Sequence, residues 1–378
     1  MGIFMNEPFR DRARSPLDTH VSEVGRPEEF TPLLVLDSGS RAGIVVQGID
    51  LHDFAGEILG LEWQGTTFLG CPMPDEVELH VIRTGATVFP PFTGLPYDPY
   101  RSGLYAPGEL AHEDLDSRIY EHQAQWHNAE PLPILEALAQ RIHDDAIDDA
   151  LNEYLEPHEK VVAIMGGHGL RRDDVVYRTV ASLARTLTRR GHLVVTGGGP
   201  GAMEAGNLGA WLAPQADDAL EVALSILAGA VGFDDSGYVA AGEAVVARYP
   251  SGSESLAIPT WFYGHEPTNV FSTAVAKYFS NSIREDGLLA IATHGVVYAP
   301  GAAGTLQEVF MDATQNHYAT FGVISPMVFL DSAYWSDDRL SAPRLLRQLA
   351  GSRPYADLIT VLDDPDQVVD FIETHPPR

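Results

Sequence analysis

Residues 196–210 read Thr-Gly-Gly-Gly-Pro-Gly-Ala-Met-Glu-Ala-Gly-Asn-Leu-Gly-Ala (TGGGPGAMEAGNLGA). A short apolar run, Leu193–Thr196, precedes the glycines, and a helix-compatible stretch, 201–211, follows them. A buried strand that ends in glycines and turns into a helix is the building unit of a parallel α/β sheet. The same layout occurs twice more. Val161–Met165 leads into Gly166-Gly167-His168-Gly169, and residues 295–299 lead into Pro300-Gly301-Ala302-Ala303-Gly304-Thr305. In such sheets ligands bind where strands end and helices begin. Glycine lets the backbone approach a ligand, and the following helix N-terminus offers free N–H groups and a partial positive charge. Three such loops on one sheet edge predict a site for an anion of phosphate or nucleotide size. Tight strand–helix packing is the plainer reading of any one loop alone.

Outward from these loops the chain keeps alternating. Helices are expected at 173–190, 220–228, 269–283, 305–316 and 364–373. Strands are expected at 256–259, at Met327–Leu330 and ending at Val361. Short, wholly apolar strands between helices imply a sheet buried on both faces. The expected fold class is therefore α/β: a doubly wound, mainly parallel, Rossmann-like sheet with a smaller N-terminal α/β domain. Residues 1–30 read as a flexible tail. Residues 31–130 read as the small domain, with apolar runs at 33–36, 43–46, 66–69 and 87–89, a helix at 74–83, and a Pro/Tyr-rich crossing segment at 90–107. Residues 131–378 read as the nucleotide-binding domain, opened by a long amphipathic helix at 131–156. No internal repeat is visible.

Composition narrows the function classes. A length of 378 residues suggests two or three domains at about 150 residues each. Hydrophobic residues make up 45% and charged residues 20%, which excludes a disordered chain, a collagen and a coiled coil. The 24 basic residues face 53 acidic ones, for a net charge of −29. Such a field disfavours nucleic-acid partners and anionic membranes. One cysteine, Cys71, permits no intrachain disulfide and no Cys-rich metal site, so a cytoplasmic location is expected. Arg10, Arg12 and Arg14 precede no apolar segment that would make a signal peptide. The most apolar window, 287–306, is broken by His294, Pro300 and glycines, so no membrane span is expected.

Several nucleotide and catalytic motifs can be set aside. The glycine spacing of a dinucleotide fingerprint fails at Ala202 from Gly197 and at Glu204 from Gly199. No Gly-Lys dipeptide exists for a Walker loop, and the 14 histidines show no ligand spacing. The nucleophile-elbow pattern that starts at Gly252-Ser253-Glu254-Ser255 ends on Leu256 instead of Gly. The only lysines are Lys160, just before a core strand, and Lys277, beside no motif that would hold pyridoxal phosphate.

What remains, TGGGPGAMEAGNLGA (196–210) paired with PGAAGTLQE (300–308), resembles the LOG family. Its members, once mislabelled lysine decarboxylases, are phosphoribohydrolases that release the base from a nucleoside 5'-monophosphate. The Pro-Gly-Ala-Met-Glu-Ala version is most similar to the bacterial purine/pyrimidine nucleotide 5'-monophosphate nucleosidases. The resemblance covers about residues 161–313. It implies that Glu308 is the family's catalytic glutamate and that Arg284 is its catalytic arginine. The family's Met-x-x-Arg-Lys stretch reads Asn281-Ser282-Ile283-Arg284-Glu285 here, without the Met and Lys. Gly198, Gly199, Gly201 and Met203 match the first family loop, and Gly301, Gly304 and Thr305 the second, where Ala302 replaces a glycine. With Gly166, Gly167, His168, Ala202 and Glu204 they form the expected phosphate- and nucleotide-binding set.

The implied reaction needs no metal and no cofactor, and a nucleoside monophosphate is the expected partner. The family forms dimers and larger assemblies, so a homo-oligomer is expected, with 269–283 as a candidate interface helix. Flanking segments in such nucleosidases can respond to alarmone nucleotides, and the N-terminal domain could do so or could build an interface. A non-catalytic nucleotide carrier or sensor is the alternative function on the same fold. Individual residues also have plainer readings. Thr305-Leu306-Gln307-Glu308 fits a helix capping box. Glu204 fits a first-turn acid that favours the helix dipole. Arg284 could be a solvated helix charge, His168 a cap, and the segment 263–269 either a base reader or a plain loop.

Overall fold

The computed structural model describes residues 22–112, 114–126, 132–262, 266–337 and 341–378. They divide into two compact units, one running up to Leu104 and including Ala124–Glu153, the other made of Tyr105–Gln123 and Tyr154–Arg378. The first unit carries a four-stranded sheet, β1 (Ser22–Val24), β2 (Ile44–Gln47), β3 (Thr67–Leu69) and β4 (Thr87–Phe89), in sequence order. Every pairing in it is parallel. Its core is aromatic: Phe30 stacks on Trp63, which meets Phe68 edge-on. Cys71 is buried there as a free thiol.

The second unit holds a seven-stranded sheet in the order β11-β10-β9-β5-β6-β7-β8. Its strands are β5 (Val161–Met165), β6 (Leu193–Thr196), β7 (Ser255–Ala257), β8 (Ala274–Val275), β9 (Val296–Tyr298), β10 (Met327–Leu330) and β11 (Ile359–Leu362). All six pairings are parallel. The strand order reverses between β5 and β9, which creates the crevice where ligands of doubly wound sheets sit. The fold is thus the expected Rossmann-like one. Strands β5 and β6 are buried at every residue, which accounts for their continuous apolar sequences.

Helix Ala202–Trp211 shows why the opening stretch is so rich in small residues. It is buried almost all round. A Cβ at Gly209 would lie 2.1 Å from the Ala181 carbonyl oxygen, and one at Gly206 would lie 3.0 Å from the Thr196 methyl. The helix therefore packs backbone-close on helix Val175–Arg189 on one side and on the sheet on the other.

Several expectations need correction. The helix expected at 269–283 is absent. Thr273 donates its N–H and its hydroxyl to the Ser255 carbonyl, and Ala276 donates to Ala257, so this stretch pairs with β7 as β8. The helix begins only at Asn281 and runs to Ile291, which removes the candidate interface helix. The apolar run 33–36 lies largely in a 3-10 turn, Thr31–Val35, because Pro32 sits at its start with φ preset for helical turns. Residues 22–30, read as tail, form β1 and helix Pro27–Phe30, whereas 1–21 lie outside the described residues. The long helix is Ile134–Leu155, and as far as Glu153 it belongs to the smaller unit. Helices Tyr238–Arg248 and Ala342–Ala350 were not anticipated. Among the described residues no helix is long and apolar enough to cross a membrane.

Candidate functional site

The three glycine loops leave the C-terminal ends of β9, β5 and β6, which are neighbours in the sheet. They also touch one another. Gly167 donates its N–H to the Pro300 carbonyl at 2.9 Å, and Ala202 donates to the Gly167 carbonyl at 3.2 Å. Gly201 has φ +72°, and a Cβ there would lie 2.4 Å from the Gly167 oxygen. A Cβ at Gly301 would lie 2.1 Å from Thr305 Oγ1 and 2.9 Å from Gly167 N. Gly166 is equally confined, between Ala202 and Ala299. Tyr334 donates its hydroxyl to the Gly301 carbonyl. Beneath the first loop Asn207 ties three elements together. Its Oδ1 accepts from Thr196 and Asn269, and its Nδ2 donates to Ser255 Oγ.

Not every amide in these loops is available. Gly198 donates to Thr196 Oγ1, and Ala202 is used by Gly167. Among the described residues the amides of Gly199, Met203, Ala303, Gly304 and Thr305 make no hydrogen bond, whereas the Gly201 amide faces the Tyr238 phenol oxygen. The five free amides belong to two converging loop–helix junctions and offer donors suited to an anion. Met203 packs its thioether against Gly197 and Gly199. His168 is exposed, 3.6 Å from Glu266 and edge-on to Phe233.

Helix Ala303–Tyr318 starts with Ala302 as its N-cap, two residues earlier than the sequence suggests. Thr305 is therefore in the first turn and Glu308 in the second. The capping-box reading of this pair fails, because no Thr305 cap exists for Glu308 to complete. Glu308 is half-buried, and its carboxylate accepts no hydrogen bond among the described residues. Burial pushes its pKa up to about 7, with Arg284 opposing the rise and Glu285 adding to it. Arg284, on helix Asn281–Ile291, is buried. Its Nε and Nη2 donate to Asn281 Oδ1 at 3.0 and 2.8 Å, and Nη2 donates to Glu285 Oε1 at 3.0 Å. Its Nη1 lies 3.4 Å from where a Gly197 Cβ would be. The arginine thus meets the first glycine loop and acts electrostatically on Glu308, so the solvated-charge reading does not hold. Gln307 donates to Glu285 and fixes the other side of that carboxylate.

Two groups beside Glu308 escaped the sequence. Asp312, one helical turn further, is buried and accepts from Tyr298 Oη at 2.6 Å and from Asn316 Nδ2 at 3.0 Å. Burial pushes it up to about 7, against the Tyr298 hydrogen bond. Burial, then the negative charges of Asp312 and Glu308, holds the Tyr298 phenol well above its ordinary range. The only sequence signal was the four-residue spacing from Glu308 to Asp312, which places both on one helix face.

Glu204 is not turned toward a ligand. It accepts from Arg172 Nε at 2.9 Å and from the hydroxyls of Tyr177 and Tyr238 at 2.7 Å each. The Arg172 guanidinium lies 3.5 Å from the Tyr238 ring centroid. With Arg172 and Glu204 both buried, Glu204 is an anchor beneath the loop rather than a nucleotide contact. Residues 263–265 of the proposed base-reading segment lie outside the described residues, while Glu266 to Asn269 line a recess beside Gly198.

No family profile matches the chain, and no curated protein matches it. Solved structures of similar backbone course include the molybdenum cofactor binding protein of the phototrophic bacterium Rippkaea orientalis, at 14% identity over 57% of this chain and 97% of that one, TM-score 0.38. Another is the molybdenum cofactor carrier protein of Chlamydomonas reinhardtii, at 14% identity over 57% and 98%, TM-score 0.35. A third is the structural-genomics target TM1055, at 18% identity over 57% and 99%, TM-score 0.36.

Proposed function

We propose that this chain hydrolyses the N-glycosidic bond of nucleoside 5'-monophosphates, giving free base and ribose 5-phosphate. One observation carries the reading: a half-buried carboxylate, Glu308, stands without a hydrogen-bond partner one turn beyond a set of free amides. Phosphate would lie on the amides of Gly199, Met203 and of Ala303 to Thr305, with the Thr305 hydroxyl as a further donor. The ribose adjoins the 5'-phosphate, which brings C1' toward Glu308.

As the C1'–N bond breaks, its electron pair leaves with the base and the sugar becomes oxocarbenium-like. The Glu308 carboxylate stabilises that positive charge in a site of low polarity, where it counts for more than in water. Water adds its oxygen to C1' and keeps one proton as the new hydroxyl, while its other proton passes to the departing base nitrogen. Arg284, although partly neutralised by Glu285, lowers the cost of holding the Glu308 anion.

The test is incubation with AMP, GMP, IMP, CMP and UMP, assayed for ribose 5-phosphate and free base. Release of both from at least one nucleotide is expected. Tight binding of nucleotides with no release would favour a carrier or sensor and overturn the hydrolase reading.

A further inference from the structure

We propose that the recess beside Gly198 receives the base of the nucleotide, and that Lys277 selects bases presenting a carbonyl oxygen, as 6-oxopurines and uracil do. The proposal deepens the nucleotide reading and shares its phosphate site, but it does not require turnover. The recess is a small concavity partly open to solvent. Leu110, Pro259 and Val275 supply apolar wall, suited to the faces of a heteroaromatic ring.

Most of the polar wall is already committed. Thr260 donates to the Tyr278 carbonyl and accepts from Phe262 N. Asn269 donates to Asn207 and accepts from Phe271 N. Thr268 donates to Asp116. Lys277 differs. Its Nζ carries three N–H donors and makes one hydrogen bond among the described residues, to Asp116 Oδ1 at 2.6 Å. The same oxygen accepts from Trp261 Nε1 at 2.7 Å, so the ammonium is held in place, 5.1 Å from the Trp261 ring centroid. The side chain is buried and lines the recess, and two of its three donors make no hydrogen bond among the described residues.

Charge assigns the base and not the phosphate to this recess. Asp116 neutralises Lys277, so this part of the wall offers no net positive charge to hold a phosphate. The glycine loop separates the two subsites. Gly197 faces Arg284, whereas a Cβ at Gly198 would meet Pro259 at 2.8 Å. A charged N–H donor binds a carbonyl oxygen more strongly than it binds a ring nitrogen, so oxo bases gain over adenine.

The test is equilibrium dialysis of IMP and AMP against the Glu308→Gln chain, with and without added changes at the recess. Lys277→Met alone strands the buried Asp116, so the pair Asp116→Asn with Lys277→Met is the second variant, with thermal unfolding as the check on folding. Lys160→Met, in the other lysine, is the control. The expected result is tighter binding of IMP than of AMP, a preference reduced about 10-fold in the double variant and retained in Lys160→Met. A folded double variant that keeps the full preference overturns the proposal, as does a parent that binds both nucleotides equally. Preference for IMP without ribose 5-phosphate release by wild type leaves the subsite standing and removes the hydrolase reading. Release with no oxo preference does the reverse, and absence of any nucleotide binding removes both.

Discussion

Glu308 is a carboxyl group whose surroundings disfavour its charge, yet the proposed chemistry needs that charge. With its pKa pushed up to about 7 by burial, the carboxylate forms only as pH rises through that value. The rate of base release should therefore climb with pH between about 6 and 8 and level off above, a profile readable from initial rates in a buffer series. The stability trend has the opposite sign. Glu308 and Asp312 both bind a proton more tightly in the fold than in the unfolded chain. Their contribution is complete below the ordinary carboxylate range and is lost as pH rises to about 7. Asp312→Asn, which touches no part of the proposed substrate, should flatten the fall in Tm between about pH 4 and pH 7; an unchanged slope would show that the raised affinity is not real. Glu204 belongs to the fold instead. Glu204→Ala leaves the buried Arg172 unpaired and should cost about 3–5 kcal/mol in chemical denaturation, far more than the loss of a surface ligand contact. Its first-turn position fits the plain dipole reading as well as the ligand reading. Only the three donors around it decide, and they come from residues 27 to 34 positions away.

At the scale of elements, the site is a set of strand–loop–helix junctions that need glycine for stated reasons. Gly201 is the most constrained, with φ +72° and the Gly167 oxygen in the place of its Cβ. Gly201→Ala should force the first two loops apart, lower Tm by several degrees, corresponding to about 1–3 kcal/mol, and weaken nucleotide binding by at least about 10-fold in dialysis. Gly304→Ala meets nothing within 4 Å and should leave Tm unchanged. These junctions were legible because parallel strands covered on both faces need uninterrupted apolar runs, and glycines must follow them. Strand β8 was not legible. Its two residues lie in a stretch, 269–283, whose apolar positions suit a helix as well, and only pairing with Ser255 and Ala257 settles the matter. The start of helix Ala303–Tyr318 was misplaced because Ala302 and Ala303 carry no capping side chain, whereas Thr305 does. β1 was missed because a three-residue edge strand in charged sequence has no periodicity to read.

For the molecule as a whole, the net charge of −29 would oppose the nucleotide anion proposed for the loops. Local amide donors and one partly neutralised arginine act against that field. Added salt screens the repulsion, so KM for a nucleoside monophosphate should fall by up to a few-fold between about 20 and 300 mM NaCl; a basic anion site would show KM rising over the same range. All the candidate residues, from Gly166 to Glu308, lie in the larger unit, and for that reason the site could be traced from sequence without knowing how the smaller unit folds. What sequence could not supply was Tyr298 and Asp312, which lie outside the motifs, and where Glu285 and Lys277 would stand. The central claim is that the Glu308 carboxylate performs the hydrolysis while the loops only hold the nucleotide. The direct measurement is ribose 5-phosphate release at about pH 8 by wild type and by Glu308→Gln, with nucleotide binding by both determined alongside. The account predicts similar binding and a rate lowered by about 10²-fold or more in the variant. Equal rates in the two proteins, or binding without release by wild type, would contradict it.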